Sequence, residues 1–301
     1  MKLHILGCYA ATPRSLTNPT SQVLEIRNHL FLIDCGEGTQ VQLRKNKIKF
    51  SRIEHIFISH LHGDHFFGLP GLISTFRLLG REKDLHIYGP EGIQQVITLI
   101  LRLGNSWTNY KLIFHELTSK KSEIIFEDTK VRVKTIPLDH RIYTNGFLFS
   151  ELPGERKLNV LATAKYKIDK AYFRTIKQGK DIKQNDGSVI ANSELSLDPI
   201  PPKHYAYCSD TGFNRKLIPL LKDVNLLYHE ATFLESEAHL AKKTKHTTAM
   251  QAATIAKEAN VLRLILGHFS TRYKSILPFK EEAITVFNNV DLADDGKTFE
   301  I

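Results

Sequence analysis

The sequence predicts an α/β fold, and three observations predict it. Short apolar runs of strand length alternate with longer stretches whose apolar residues recur at helical spacing. Histidine and aspartate stand just past the ends of several strand-like runs, where an open α/β sheet gathers its ligand sites because the helices leave the sheet there. With 301 residues and 42% hydrophobic content the chain can bury a sizeable core. No linker composition, low-complexity stretch or short repeat divides it.

The elements follow in order. The opening MKLHILGCYAATP reads as a first strand over 2–7, because the apolar stretch before Cys8 is too short for a signal segment and contains His4. A strand run over 22–33 ends at Asp34, and a helix is expected over 39–45. HIFIS gives a strand over 54–59, and the apolar stretch after Phe66 a helix over 66–79. A strand over 84–88 and a helix over 92–103 come next, then the alternating strand VRVKTIP over 131–137, stopped by its proline. The segment around 150–195 separates this half from a second one, with strands over 205–208, 225–229 and 261–266 and helices over 247–258 and 278–287. RLILG and ITLILRL are too short to span a bilayer, so no membrane association is expected.

The most informative stretch is SHLHGDHFFG, 59–68, which packs three histidines and an aspartate into six positions after a strand. Delivered into a loop, His60 and His62 alternate in the strand sense and point the same way. Gly63 tolerates a sharp reversal there, and Asp64 and His65 turn towards a neighbouring position. Imidazole mixed with carboxylate, with no nearby thiolate, favours zinc over manganese or iron. Four groups from one turn cannot close two coordination spheres. The remaining candidates appear past other strand ends: His140 after Pro137, Asp210 after HYAYC, and His268 after RLILG. Alone, each reads as a satisfied loop histidine or a turn aspartate; together they read as a two-metal site.

Charge and cysteine usage bound the rest. The formal net charge of +9 suits a polyanionic partner. Between Glu155 and Lys183 nine Lys or Arg stand against three Asp or Glu, with Tyr166, Tyr172 and Phe173 interleaved. That combination can neutralise phosphates and stack on bases, and the same charges also suit a solvated face. Cys8, Cys35 and Cys208 form no CxxC pair and leave an odd count, which argues for buried thiols, against a disulfide framework, and for the cytoplasm.

The order HxHGDH, isolated His140, SDT with Asp210 and GHFS with His268 resembles the metallo-β-lactamase superfamily. More narrowly the chain resembles the ribonuclease Z family of tRNA 3′-processing endonucleases. That match rests on FLIDCGEGTQVQL (31–43), SHLHGDHFFGLPGL, YHEATF (228–233), KHTTAMQAA (245–253) and LGHFSTRY (266–273), and it runs nearly end to end. The resemblance implies one domain over 1–301, an αββα sandwich of two mixed sheets between outer helices, with an inserted basic arm around 150–195 that grips tRNA. It implies two zinc ions per chain, His60, His62 and His140 on one, Asp64, His65 and His268 on the other, and Asp210 bridging them. Asp34 would fix a ligand imidazole from behind, unless Asp-Cys-Gly is only a turn.

The resemblance also implies catalytic roles. Asp64 would accept the nucleophile's proton. His246 would protonate the departing 3′ oxygen, with Glu230 orienting it, or His246 would make only a phosphate contact and Glu230 cap a helix. The product is a tRNA 3′-hydroxyl, the partner precursor tRNA, and the assembly a homodimer. The chain departs from the family pattern in two places: KIDKAYFRTIKQGKD in the arm lacks a Gly-Pro, and GCYAATPRSLTNPTSQ lacks an Arg-Asn pair. Two other readings are a metallo-β-lactamase-fold phosphodiesterase acting on small or cyclic phosphodiesters, and a non-catalytic nucleic-acid-binding scaffold; seven filled ligand positions argue against the scaffold.

Overall fold

Apolar alternation and β-branched content build two seven-stranded sheets. The computed structural model describes residues 1–12, 14–184 and 186–301. The first sheet combines β1 (Lys2–Gly7), β2 (Ser21–Ile26), β3 (His29–Ile33), β4 (Ile53–Phe57), β5 (Leu85–Pro90), β6 (Leu112–Leu117) and, from the far end of the chain, β18 (Thr298–Glu300). Its order is β18-β1-β2-β3-β4-β5-β6, antiparallel up to β3 and parallel beyond. The second sheet contains β7 (Ile124–Glu127), β8 (Val131–Pro137), β9 (Asn145–Glu151), β14 (His204–Cys208), β15 (Leu226–Glu230), β16 (Leu264–Gly267) and β17 (Val290–Leu292). Its order is β17-β16-β15-β14-β9-β8-β7, with β14 to β17 parallel and β9 antiparallel to β14.

Three cores hold these layers. Between the sheets, inward-facing Phe31, Phe57, Phe147, Phe149, Tyr205 and Tyr228 interlock, with Cys8 among them. Helices α1 (Thr39–Lys45), α3 (Leu69–Leu78) and α4 (Ile93–Leu103) bury Leu43, Leu72, Ile73 and Ile97 against the outer face of the first sheet, around Cys35. Helices α8 (Ile218–Leu221), α10 (Ala249–Glu258) and α11 (Leu277–Ala283) cover the second sheet around Cys208. The alanine-rich face of α10 (Ala249, Ala252, Ala253, Ala256) permits close approach, and its start is fixed by a capping box between Thr248 and Gln251. The architecture is the expected sandwich of two mixed sheets between helices.

The structure corrects several boundaries. The run expected as one strand over 22–33 is a hairpin, because Arg27 adopts a left-handed conformation (φ 52°) and turns the chain between β2 and β3. The helix expected over 66–79 divides into α2 (Gly63–Phe66) and α3, broken where Pro70 opens the second helix. The last long helix ends at Ala283 and β16 begins only at Leu264. Strands β6, β7, β9, β17 and β18 were not anticipated.

Residues Glu151–Pro202 form one compact unit, and Met1–Ser150 with Lys203–Ile301 form the other. The Glu151–Pro202 unit contains α5 (Val160–Lys165), α6 (Phe173–Lys177), α7 (Asn192–Leu195) and two small antiparallel ladders, β10 (Lys157–Leu158) with β13 (Ser196–Leu197), and the hairpin β11 (Ile182–Lys183) with β12 (Val189–Ile190). Ile176, Ile182, Ile190 and Leu195 form its core. Buried Asn192 ties α6 to α7 by donating to the carbonyls of Ile176 (2.8 Å) and Lys180 (3.0 Å). Among the described residues no helix is long and apolar enough to cross a membrane.

Candidate metal centre

The C-terminal ends of β4, β8, β14 and β16 bring together all seven residues expected as ligands, and those of β3 and β15 set Asp34 and Glu230 beside them. Three strand-end residues, Asp34 (φ 54°), Asp210 (φ 52°) and His268 (φ 59°), hold left-handed backbone conformations. Such conformations cost a non-glycine residue on the order of 1 kcal/mol and turn a side chain sharply off its strand. Asp64 and His65 lie in the helical turn Gly63–Phe66, not in an open loop. That turn is clamped against the segment after Asp34: Cys35 N–H donates to His65 O (2.7 Å) and Gly68 N–H to Cys35 O (2.9 Å). A Cβ on Gly68 would meet Gly36 O at 2.1 Å, so this approach requires glycine.

Two clusters of the expected ligands result, and a third set, Asp210, His246 and His268, overlaps them. His60, His62, His140 and Asp210 place ligand atoms within 4.8 Å of one another, and so do Asp64, His65 and His268. In the first, His62 Nδ1 faces His60 Nε2 at 2.9 Å and His140 Nε2 at 3.3 Å. Asp210 joins the two clusters. Its Oδ2 lies 3.6 Å from His60 Nε2 and 3.7 Å from His140 Nε2, while Oδ1 lies 3.1 Å from His65 Nε2 and 3.2 Å from His268 Nε2.

The hydrogen bonds behind the ligands fix their tautomers. Buried Asp34 accepts from Ser59 N–H (2.7 Å), Ser59 Oγ–H (2.8 Å), Tyr207 O–H (2.5 Å) and His65 Nδ1–H (2.7 Å). Because the Ser59 hydroxyl gives its proton to Asp34, it accepts from His60 Nδ1–H at 3.0 Å. His140 Nδ1–H donates to Lys245 O (3.0 Å). The Thr232 hydroxyl donates to Glu230 Oε2 (2.6 Å) and therefore accepts from His268 Nδ1–H (2.9 Å). Each of these imidazoles carries its proton on Nδ1 and turns Nε2 inward.

That arrangement fits a metal ion. Nitrogens of His60, His62 and His140 converge lone pair to lone pair, which is repulsive unless a cation or proton lies among them. His65 Nε2 and His268 Nε2 are buried without a hydrogen bond although carboxylate oxygens stand close by. Burial pushes His60, His62 and His140 to lower pKa, into the neutral form that ligates. Burial opposes charge on Asp64 and Asp210 as well, but neighbouring imidazoles hold both carboxyl groups well below the usual range. Burial likewise opposes charge on His65, yet Asp210, Asp64 and Asp34 lift its pKa well above the ordinary imidazole value.

His246 and Glu230 adjoin the clusters. Glu230, the last residue of β15, is fully buried and accepts from His246 Nδ1–H (2.7 Å), Thr211 N–H (2.8 Å), Thr232 N–H (3.1 Å) and Thr247 N–H (3.2 Å). These amides belong to three loops, so Glu230 caps no helix. His246 stacks beside His268 at 5.4 Å and retains 11% side-chain exposure. Burial opposes its charge, but Glu230 raises its pKa to about 9.

Ser59, Tyr207 and Thr232 were missed from sequence. Ser59 adjoins the ligand motif and gave some signal; the other two hydroxyls gave none. The cysteines beside Asp34 and Asp210 are buried free thiols, and burial pushes Cys35 up to about 12.

Residues 1–183 match a family model described as Anti-Pycsar protein Apyc1. The chain is 49% identical over 295 residues to a protein of Bacteroides fragilis named ribonuclease Z, covering 98% of this chain and 97% of that one. It is 46% identical to the ribonuclease Z of Porphyromonas gingivalis, covering 97% and 96%. Among solved structures it resembles the short form of human tRNase Z (TM-score 0.72, 28% identity, 100% and 99% covered). It also resembles the metallo-β-lactamase-fold protein YhfI of Bacillus subtilis (TM-score 0.70, 19% identity, 99% of each covered), a likeness of fold alone.

Proposed function

The chain belongs to the ribonuclease Z family and, over residues 1–183, to the family described as Anti-Pycsar protein Apyc1; on that footing we propose that it is a zinc-dependent endoribonuclease. It hydrolyses the phosphodiester at the 3′ end of precursor tRNA and leaves a 3′-hydroxyl on the tRNA. The observation that carries this reading is the pair of ligand clusters sharing Asp210. The Apyc1 match ends before Asp210, His246 and His268, whereas the ribonuclease Z relatives match the chain almost throughout.

Two zinc ions per chain fit the spacing. A tetrahedral zinc with ligands at about 2.0–2.1 Å has ligand–ligand edges of roughly 3.3 Å. Neighbouring ligand atoms among His60, His62, His140 and Asp210 lie 2.9 to 3.7 Å apart, and the carboxylates of Asp64 and Asp210 each lie 3.1 to 3.5 Å from His65 and His268. Zinc at such sites supplies Lewis acidity towards a phosphoryl oxygen and a water of lowered pKa.

The protein's groups do the rest. Asp34, Ser59, Thr232 and the Lys245 carbonyl hold the ligand rings in register. Asp64 accepts the proton of the attacking water. His246, kept protonated at neutral pH by Glu230, donates to the 3′ oxygen as the P–O bond breaks, so charge does not build on the leaving group. In the arm, Lys165, Lys167, Lys170, Arg174, Lys180 and Lys183 have no carboxylate partner among the described residues, and Tyr172 is 46% exposed, which suits RNA phosphates and bases. On α4, Leu99, Ile100 and Leu103 are exposed along one face, which suits association with a second copy in the cytoplasm. The decisive experiment incubates zinc-loaded protein with 5′-labelled precursor tRNA. A single cut beside the discriminator end, lost on chelation and restored by zinc, is expected; hydrolysis of cyclic nucleotides without any cut in precursor tRNA would overturn the reading.

A further inference from the structure

Phe213 lies three residues past Asp210 and is 40% exposed, whereas Tyr207, Tyr228, Phe233 and Phe269 nearby are buried. It lines two hollows. One, of about 930 Å³, reaches His140, Lys120, Lys121 and Lys216; the other, of about 510 Å³, reaches His246, Lys242 and Lys245. Only Asp139 and Phe213 line both, so these two residues form the partition between them.

The partition is firmly mounted. Gly212 N–H donates to Asp139 O (2.9 Å), Asp139 N–H donates to Thr211 Oγ1 (3.1 Å), and Lys245 Nζ bonds both Asp139 carboxylate oxygens at 2.9 Å, which neutralises the one acidic group of the wall. The Arg215 guanidinium lies over the Phe213 ring at 5.4 Å, itself paired with Glu258. The ring is thus a partly bare aromatic surface between two basic hollows, one bounded by His246, whose side chain keeps 11% exposure, and the other by the main chain of His140, whose imidazole is fully covered.

We propose that Phe213 is a specificity-determining residue that parts the two nucleotides flanking the scissile phosphate, stacking one of their bases on its open face. This rests on the proposed RNA-cleaving function. Because His246 serves the leaving 3′ oxygen, the last nucleotide of the tRNA body occupies the His246 hollow and the first trailer nucleotide the hollow with Lys120, Lys121 and Lys216. The partition gives single-stranded RNA a register that a small phosphodiester does not need.

The test compares Phe213→Ala, Phe213→Leu and Phe213→Trp with wild type on precursor tRNA and on a nitrophenyl phosphodiester, with zinc content measured throughout. Phe213→Ala should lower kcat/KM on precursor tRNA about fivefold to a hundredfold, mainly through KM, the scale of one lost base–aromatic stack. Nitrophenyl ester hydrolysis and zinc content should stay unchanged. Phe213→Trp should restore precursor cleavage, and Phe213→Leu, which keeps apolar bulk and guards against loop collapse, should not. A precursor made abasic at one flanking position should be cut as slowly by wild type as by Phe213→Ala. Equal activity of the leucine variant and wild type on precursor tRNA, or equal sensitivity of wild type and Phe213→Ala to abasic sites at both positions, overturns the proposal. A wild-type protein that leaves precursor tRNA uncut while hydrolysing the nitrophenyl ester overturns the function as well, and is told apart by that control.

Discussion

Around the candidate metal centre the charged side chains are buried and each is held by partners, Asp34 by four donors and Glu230 by five, whereas in Glu151–Pro202 four buried aliphatic side chains form the core and, apart from buried Glu151, the charges stand at or near the surface. The first region has almost no freedom to change one group alone, because desolvation makes any unpartnered charge costly. The second tolerates exchange of nearly every charged residue, because solvent screens them. The ligand-type residues therefore sit in the region that cannot be rearranged, and the surface lysines in one that can.

Asp210→Ala breaks this comparison at its centre and carries the largest effect. It removes an oxygen from both clusters, so hydrolysis of precursor tRNA and of a nitrophenyl ester should both fall on the order of a thousandfold or more. Metal analysis should show both sites depleted, and a variant retaining two zinc ions at wild-type affinity would refute the bridging role.

His246→Ala should lower precursor cleavage on the order of a hundredfold while zinc content holds, with a smaller defect on the nitrophenyl ester, whose leaving group needs little protonation. The same pair sets a pH dependence in the metal-free protein. His246 binds its proton more tightly folded, with a pKa of about 9, than unfolded. Its stabilising contribution is thus fully present below its ordinary pKa near 6.5 and is lost as pH rises through about 9. Urea titrations at several pH values should show this loss in wild type and not in His246→Ala.

Replacing residues 155–183 with a short Gly-Ser linker tests the other side. Zinc content and nitrophenyl ester hydrolysis should persist, precursor cleavage should fall mainly through KM, and the slope of log affinity against log salt should become shallower. An unchanged slope would make the basic stretch a solvated face. Milder still, Ile176→Ala should loosen only Glu151–Pro202, by about 2–5 kcal/mol of local stability. Hydrogen exchange should quicken there and stay as slow as before in β15 and β16.

What could be read in advance follows the same division. His60, His62, Asp64 and His65 were legible because ligand-type residues rarely crowd six positions, and His140, Asp210 and His268 because apolar runs ended beside them. Asp34 was visible as a strand end, but its four donors come from two distant segments. Ser59 stands beside His60 and so gave some signal, whereas Tyr207 and Thr232 reach Asp34 and His268 only because the fold brings them together, and no local pattern marks them. The turn at Arg27 escaped because its left-handed residue is arginine, and Asn28 beside it is a weaker signal than Asn-Gly or Asp-Gly. The break after α2 was foreshadowed by Pro70, which the apolar periodicity concealed.

The placement of the three thiols has a practical consequence. Cys8, Cys35 and Cys208 lie one in each of the three packed cores, buried and reluctant to ionise. In the native protein they should be silent to alkylating reagents, which need an exposed thiolate. Each then becomes a built-in clock: the rate at which a given cysteine is trapped, read by mass spectrometry of its peptide, times the opening of its own layer. A reactive cysteine engineered onto the surface could meanwhile carry a fluorophore without removing any native one.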